Sequence, residues 1–265
     1  MTQLSLATAA AGDPLMGTVL AGAWGLLAGG ALVIGATIAW FVQVPARVVA
    51  AVMAFGAGVL ISALAFDLVQ EAADSAGVAP VVSGFAGGAV TYMLANKLLD
   101  RFGARHRKRS QNQQPTESDQ SGSGRAIAVG ALLDGVPESV VLGASLLGGG
   151  GVSTAVVAAV FISNLPEGLS SAAGMKQAGR SARYVFGVWS SIAVASAIAA
   201  ALGYLLLGDA SQNSVAVITA FAAGAILTML ADTMIPEAFE RTHSWTGLIA
   251  ATGFLLAFTI SRLGG

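Results

Sequence analysis

From residue 15 to residue 42 the sequence carries no charged side chain. That run exceeds the ~20 apolar residues that cross a bilayer as a helix. It is also too long for a cleavable leader, and residues 1–14 lack a leader's basic start. Seven more runs follow, at about 46–70, 79–100, 125–148, 152–175, 184–207, 213–236 and 245–262. Charge content agrees: 10% of the 265 residues are charged and mean hydropathy is +0.75, against about 25% charged in a soluble domain. The expected fold is an all-α membrane protein of eight transmembrane helices, one transmembrane domain over residues 1–265.

The chain contains no cysteine. Disulfides, thiolate metal sites and thiol catalysis are excluded together. The net charge of −1 points to no charged partner. Gly25-x-x-x-Gly29 and Gly84-x-x-x-Gly88 have the spacing that lets membrane helices approach closely, so these glycines are expected in helix packing.

Residues 101–124 break the apolar pattern. Arg101, Arg105, Arg107, Lys108 and Arg109 precede a Gln/Ser/Gly-rich stretch. A disordered basic loop is expected over about 103–124. Such a run can bind nucleic acid or anionic lipid; its ordinary role beside a span is to set topology. With the N-terminus outside, the inner loops hold Arg47, the Lys97–Arg125 group, Lys176, Arg180, Arg183 and Arg241, leaving only Arg262 of 13 basic residues outside. Cytoplasmic loops carry the excess of Lys and Arg, so both termini are expected to be external and the basic loop cytoplasmic.

Residues 55–74 (FGAGVLISALAFDLVQEAAD) and 221–240 (FAAGAILTMLADTMIPEAFE) share Phe55, Ala57, Gly58, Leu64, Ala65, Glu71 and Ala72 at an offset of 166. Spans two and seven cross in opposite directions under this topology. The copies are then inverted, a signature of secondary transporters. The expected plan is 3+2+3, with helices 1–3 and 6–8 repeated around a central helix 4/5 pair.

Those central spans hold Asp134-Gly135-Val136-Pro137-Glu138-Ser139 and Ser163-Asn164-Leu165-Pro166-Glu167-Gly168. A charge at bilayer depth costs roughly 2.5–3.5 kcal/mol or more, and such a cost marks an ion pathway. Residues four apart share a helix face, so Asp134 pairs with Glu138 and Ser163 with Glu167, with Asn164 close by. Pro137 and Pro166 each remove a donor and free the carbonyls of Leu133 and Ile162. Neither span interior holds a Lys, Arg or His as counter-ion. The carboxyls are therefore protonated or gather around a cation, and a divalent cation is the economical reading. The plainer alternative makes Asp134 and Ser163 helix caps and the glutamates helix ends.

The paired Pro-Glu motifs, eight spans, basic loop before span four and inverted outer repeats resemble the ZIP (Zrt/Irt-like) metal transporters. The resemblance covers nearly the whole chain, and Asn164-Leu165-Pro166-Glu167-Gly168 is its most specific piece. It implies a metal site between helices 4 and 5, with Glu138 and Glu167 as shared carboxylates, and an elevator-like movement of one helix group. Asp134 stands where the family usually has His, and Gly135 where it usually has Asn. Ser163 replaces the family's His or Gln, while Asn164 matches its Asn, Asp or Glu. Span six offers Ser190, Ser191 and Ser196 where many members supply Glu. The implied site is a single one built mainly of oxygen: Asp134, Glu138, Ser163, Asn164 and Glu167.

Among the other acids Asp67, Glu71, Asp232 and Glu237, Glu71 is placed at the outer end of span two and Glu237 at the inner end of span seven. They either guide ions or are solvated helix ends. His106 and His243 fall in inner loops. The function expected is ATP-independent movement of divalent cations such as zinc, manganese or iron into the cytoplasm across the plasma (inner) membrane. The metal is substrate, not a resident cofactor. The expected partners are that cation and the bilayer, with no nucleic acid and a homodimer left open. A transport-incompetent sensor or scaffold is the alternative. An intramembrane enzyme ranks below it: Gly168-Leu169-Ser170 and Gly143-Ala144-Ser145 place serines without a nearby base, and neither a His-Glu-x-x-His motif nor a P-loop occurs.

Overall fold

The computed structural model describes residues 14–102, 123–147 and 154–263. All its regular elements are helical, and seven helices are long and apolar enough to cross a membrane. The molecule is an all-α integral membrane protein. Residues 103–122, the 148–151 glycine turn and His106 lie outside the described residues. The loop expected to reach residue 124 ends earlier, because α4 already begins at Ser123.

The helices are α1 (Pro14–Phe41), α2 (Ala46–Ala76), α3 (Val78–Asp100), α4 (Ser123–Ala144), α5 (Thr154–Gln177) and α6 (Ala182–Leu207). The last candidate span, Gln212–Leu263, is 52 residues long. It breaks at His243, where φ is 45°, and continues through one 3₁₀ turn. Residues 212–242 are called α7, and Thr246–Leu263 is α8. α2 outruns its expected end near residue 70. Ala72 remains buried, and the helix stops only at Gly77. That residue takes φ 82°, a left-handed conformation that costs glycine little.

Small residues decide which helices touch. Gly17, Gly25 and Gly29 of α1 face Tyr204, Ser196 and Ala193 of α6, so these two helices run antiparallel. Gly168 of α5 sits on the Leu32 carbonyl and Gly35 of α1 on the Leu165 carbonyl. On α4 and α6, Gly143 and Gly203 sit against the Ala200 and Val140 backbones. One four-helix group is therefore α1, α4, α5 and α6, with its own core of Leu32, Ile127, Met175, Val185 and Trp189.

The other group is α2, α3, α7 and α8. Gly58 of α2 lies on the Ala250 carbonyl of α8, and Gly253 lies on the Phe55 carbonyl. The same reciprocal contact joins α7 to α3: Gly224 on the Phe85 carbonyl and Gly88 on the Phe221 carbonyl. A Cβ at any of the four would overlap a main-chain oxygen. Gly58 and Gly224, like Phe55 and Phe221, are partners in the 166-residue repeat. The repeat matches in backbone form as well. α2 carries a π-helical turn at Leu64–Val69 and α7 carries one at Leu230–Met234, both beginning at the repeated leucine. Pro236 follows the second turn, but Gln70 holds its place after the first. Proline alone does not produce the π form.

Both cross-packed pairs run parallel, since contacts climb from Gly58 beside Ala250 to Phe66 beside Phe258 and from Gly84 beside Val217 to Gly88 beside Phe221, and α2 joins α3 at Gly77. The end of α2 and the start of α7 therefore share one end of the bundle, and the end of α7 lies at the other. Within the first group α4 and α5 face the second, and a core of Met53, Leu60, Leu142, Val160, Met229 and Leu230 fills the junction. α3 and α6 turn Val90, Leu94, Val194 and Ile198 outward, as membrane-facing helices do.

Candidate cation site

Both motifs sit inside continuous helices, with Pro137 and Pro166 internal to α4 and α5. The capping alternative is thereby excluded. Asp134, Glu138, Ser163, Asn164 and Glu167 are all buried, between 1% and 4% exposed. α4 and α5 touch each other over little of their length and are held by different neighbours.

Asp134 Oδ1 accepts a hydrogen bond from Tyr92 Oη on α3, at 2.5 Å. Glu138, one turn on, faces a cavity of about 10 Å³ shared with Leu60, Ala63, Leu64 and Leu68 of α2 and Val156, Ala159 and Val160 of α5. Ser163 Oγ donates to the Val160 carbonyl at 2.9 Å. Its lone pairs keep acceptor capacity. Asn164 Nδ2 donates to the Ala28 carbonyl at 3.0 Å, which leaves the amide oxygen to accept or to ligate. Gly56 of α2 lets that helix approach Ser163 closely, since a Cβ there would meet Ser163 Cα at 3.1 Å. These donors are oxygens throughout, a set suited to hard divalent ions. Among the described residues no three His, Cys, Asp or Glu side chains cluster as a metal cage would require.

A larger cavity, about 300 Å³, lies at the C-terminal end of α2. Asp67, Glu71 and Ser75 line it with Val141 of α4, Ser145 just past its end, and Val215 and Thr219 of α7. Leu68 and Val141 border both cavities. An apolar partition thus separates the acidic cavity from Glu138. Asp67 also accepts from Ser261 Oγ at 2.8 Å, beside Arg262, whose guanidinium stacks over Phe66 and Phe258.

At the opposite end Ser170 Oγ, one turn beyond Glu167, donates to Glu237 Oε1 at 2.8 Å. Asp232 and His243 are exposed and take no part in the site. Tyr92 is the residue the sequence reading missed. Its only signal was a phenol inside an apolar span, in a chain with three tyrosines. Ser170 drew notice only as a serine without a base.

A protein of Arabidopsis thaliana named "Putative zinc transporter" is 26% identical over 222 residues, covering 83% of this chain. The chain spans about a third of that protein's length, 34%. No family model matches the chain.

Proposed function

We propose that the chain is a ZIP-like secondary transporter that carries divalent metal cations into the cytoplasm between α4 and α5. The observation that carries this reading is the stack of polar groups through an apolar bundle. An acid-lined cavity of about 300 Å³ stops at Leu68 and Val141, and Glu138 lies directly behind them. Asp134, Ser163, Asn164 and Glu167 continue the buried oxygen set. Burying three carboxylates in hydrocarbon without a cation to serve would be costly. The distant similarity to the Arabidopsis thaliana protein named "Putative zinc transporter" points the same way.

We read Gln212–Leu263 as two crossings. At 1.5 Å per residue a 52-residue helix is about 78 Å long, more than twice the ~30 Å hydrocarbon core. The break at His243 supplies the reversal. Eight crossings with 3+2+3 inverted order then follow, supported by the paired π turns and reciprocal glycine contacts. The positive-inside count supports external termini, and on that reading the Asp67/Glu71 cavity opens outward.

Purified protein in proteoliposomes should take up Mn²⁺ and Zn²⁺ without ATP. Background-level uptake of both metals by folded protein would sink the reading. The dispersed carboxylates and the Tyr92 hydrogen bond on Asp134 favour a second reading, a metal-binding sensor or scaffold that does not transport. Metal binding without uptake would select it.

A further inference from the structure

Side-chain hydrogen bonds join the two helix groups at two places among the described residues. Tyr92 on α3 donates to Asp134 on α4, and Ser170 on α5 donates to Glu237 on α7. Each uses a carboxylate already singled out, Asp134 by its motif and Glu237 by the repeat. We propose that these bonds are two latches that hold the groups in the present arrangement, and that a divalent cation binding Asp134 displaces Tyr92 and releases the first.

Asp134 is 1% exposed and Tyr92 2% exposed. The phenol holds Oδ1 of Asp134, so a cation that takes both carboxylate oxygens displaces it. No covalent step is needed, only exchange of one carboxylate partner for another. Tyr92 is then a positioning residue, not a ligand.

The second latch explains why the two ends differ. At the 29-residue offset between the motifs, Val141 of α4 occupies the place of Ser170 on α5. Ser170 ties Glu237, the repeat partner of Glu71. Val141 has no hydroxyl to offer and instead walls the cavity that Glu71 lines. One end carries a tie, and the other carries a cavity.

The proposal rests on the transport reading, and its test reads conformation separately from uptake. The chain has no cysteine, so Ser145→Cys places one thiol in the large cavity. Its reaction rate with a water-soluble maleimide is measured in lipid nanodiscs. Tyr92→Phe keeps the buried ring, and Ser170→Ala removes one oxygen; each is expected to slow labelling about threefold, because the unlatched groups leave the cavity-open arrangement. Mn²⁺ should slow labelling in the otherwise unaltered Ser145→Cys protein and add little in Tyr92→Phe. Mn²⁺ binding by equilibrium dialysis should tighten about tenfold in Tyr92→Phe, since a hydrogen bond to a charged group no longer competes. Labelling at the unaltered rate in both variants would overturn the proposal and leave the bonds as simple satisfaction of buried carboxylates. Should Tyr92→Phe fail to fold, Ser170→Ala decides by the same labelling criterion. Absent uptake in proteoliposomes would overturn the transport reading while leaving the labelling result intact.

Discussion

The two copies of the repeat carry an identical glutamate at matched positions, Glu71 and Glu237, and treat it differently. Glu71 is exposed and lines a cavity of about 300 Å³. Glu237 is half-buried and accepts a hydrogen bond from Ser170. Their scaffolds match closely, down to a π turn beginning at the same leucine and a glycine resting on a neighbour's carbonyl. The difference therefore lies in what α4 and α5 present to each copy. Repeated scaffolds around an asymmetric centre can pass between two arrangements related by a pseudo-two-fold axis at modest cost, the logic of alternating access.

The largest expected effect tests whether both ends serve one site. Glu138→Ala and Glu167→Ala should each reduce metal uptake to background while folded protein remains in the membrane. Too few oxygens would remain to replace the ion's water shell. Near-normal uptake by either variant, measured in proteoliposomes, would mean the ends feed a different route.

Next in size is the scaffold itself. Gly58→Val and Gly224→Val both push a branched side chain into a main-chain oxygen. Overpacking of this kind costs about 1–3 kcal/mol or more, and matched positions should suffer alike. Thermal unfolding in detergent would measure it. A large loss at one glycine and none at the other would break the equivalence of the two copies.

Much of this arrangement is legible in the sequence. The spans follow from uninterrupted apolar runs, and the motif carboxylates stand out because hydrocarbon tolerates few charges. The 166-residue repeat shows in Phe55, Gly58, Leu64 and Glu71. What escaped notice depends on tertiary contact. Tyr92 and Asp134 are 42 positions apart on helices of different groups, and no periodicity pairs them. The π turns are changes in backbone hydrogen-bond register, and the first has no proline to announce it. The end of α2 was misplaced for a different reason. Gln70, Glu71 and Asp74 are exposed, as at a solvated end, yet the helix runs on through them to Ala76 and Glu71 lines a cavity.

A smaller effect would make the two ends alike. Val141→Ser gives α4 the hydroxyl that α5 has at Ser170. Glu71 then gains a partner when the cavity closes, and a hydrogen bond to a charged group is worth about 1.5–3 kcal/mol before the cost of burial. Labelling of Ser145→Cys should slow about fivefold, and adding Ser170→Ala should slow it further by loosening the other end. An unchanged rate in Val141→Ser would show that residues 141 and 170 do not set the asymmetry.

The smallest expected effect concerns Asp134, which contacts the α2, α3, α7 and α8 group through Tyr92. Every proposed ligand in the motifs is an oxygen. Carboxylate and carbonyl oxygen suit Mn²⁺, and imidazole suits Zn²⁺, although Zn²⁺ still outranks Mn²⁺ at most sites. The wild-type preference for Zn²⁺ should therefore be shallow, and Asp134→His should raise the Zn²⁺-to-Mn²⁺ uptake ratio by a few-fold. A neutral imidazole has one acceptor nitrogen. Metal and Tyr92 hydroxyl compete for it more directly than at a carboxylate, which has two oxygens. Combining Asp134→His with Tyr92→Phe should thus widen the ratio further, by removing the competitor and leaving the ligand. The measurement is a paired competition for uptake at fixed pH. A ratio unchanged by Asp134→His would mean that Asp134 is not a ligand and serves only to hold α4 against α3.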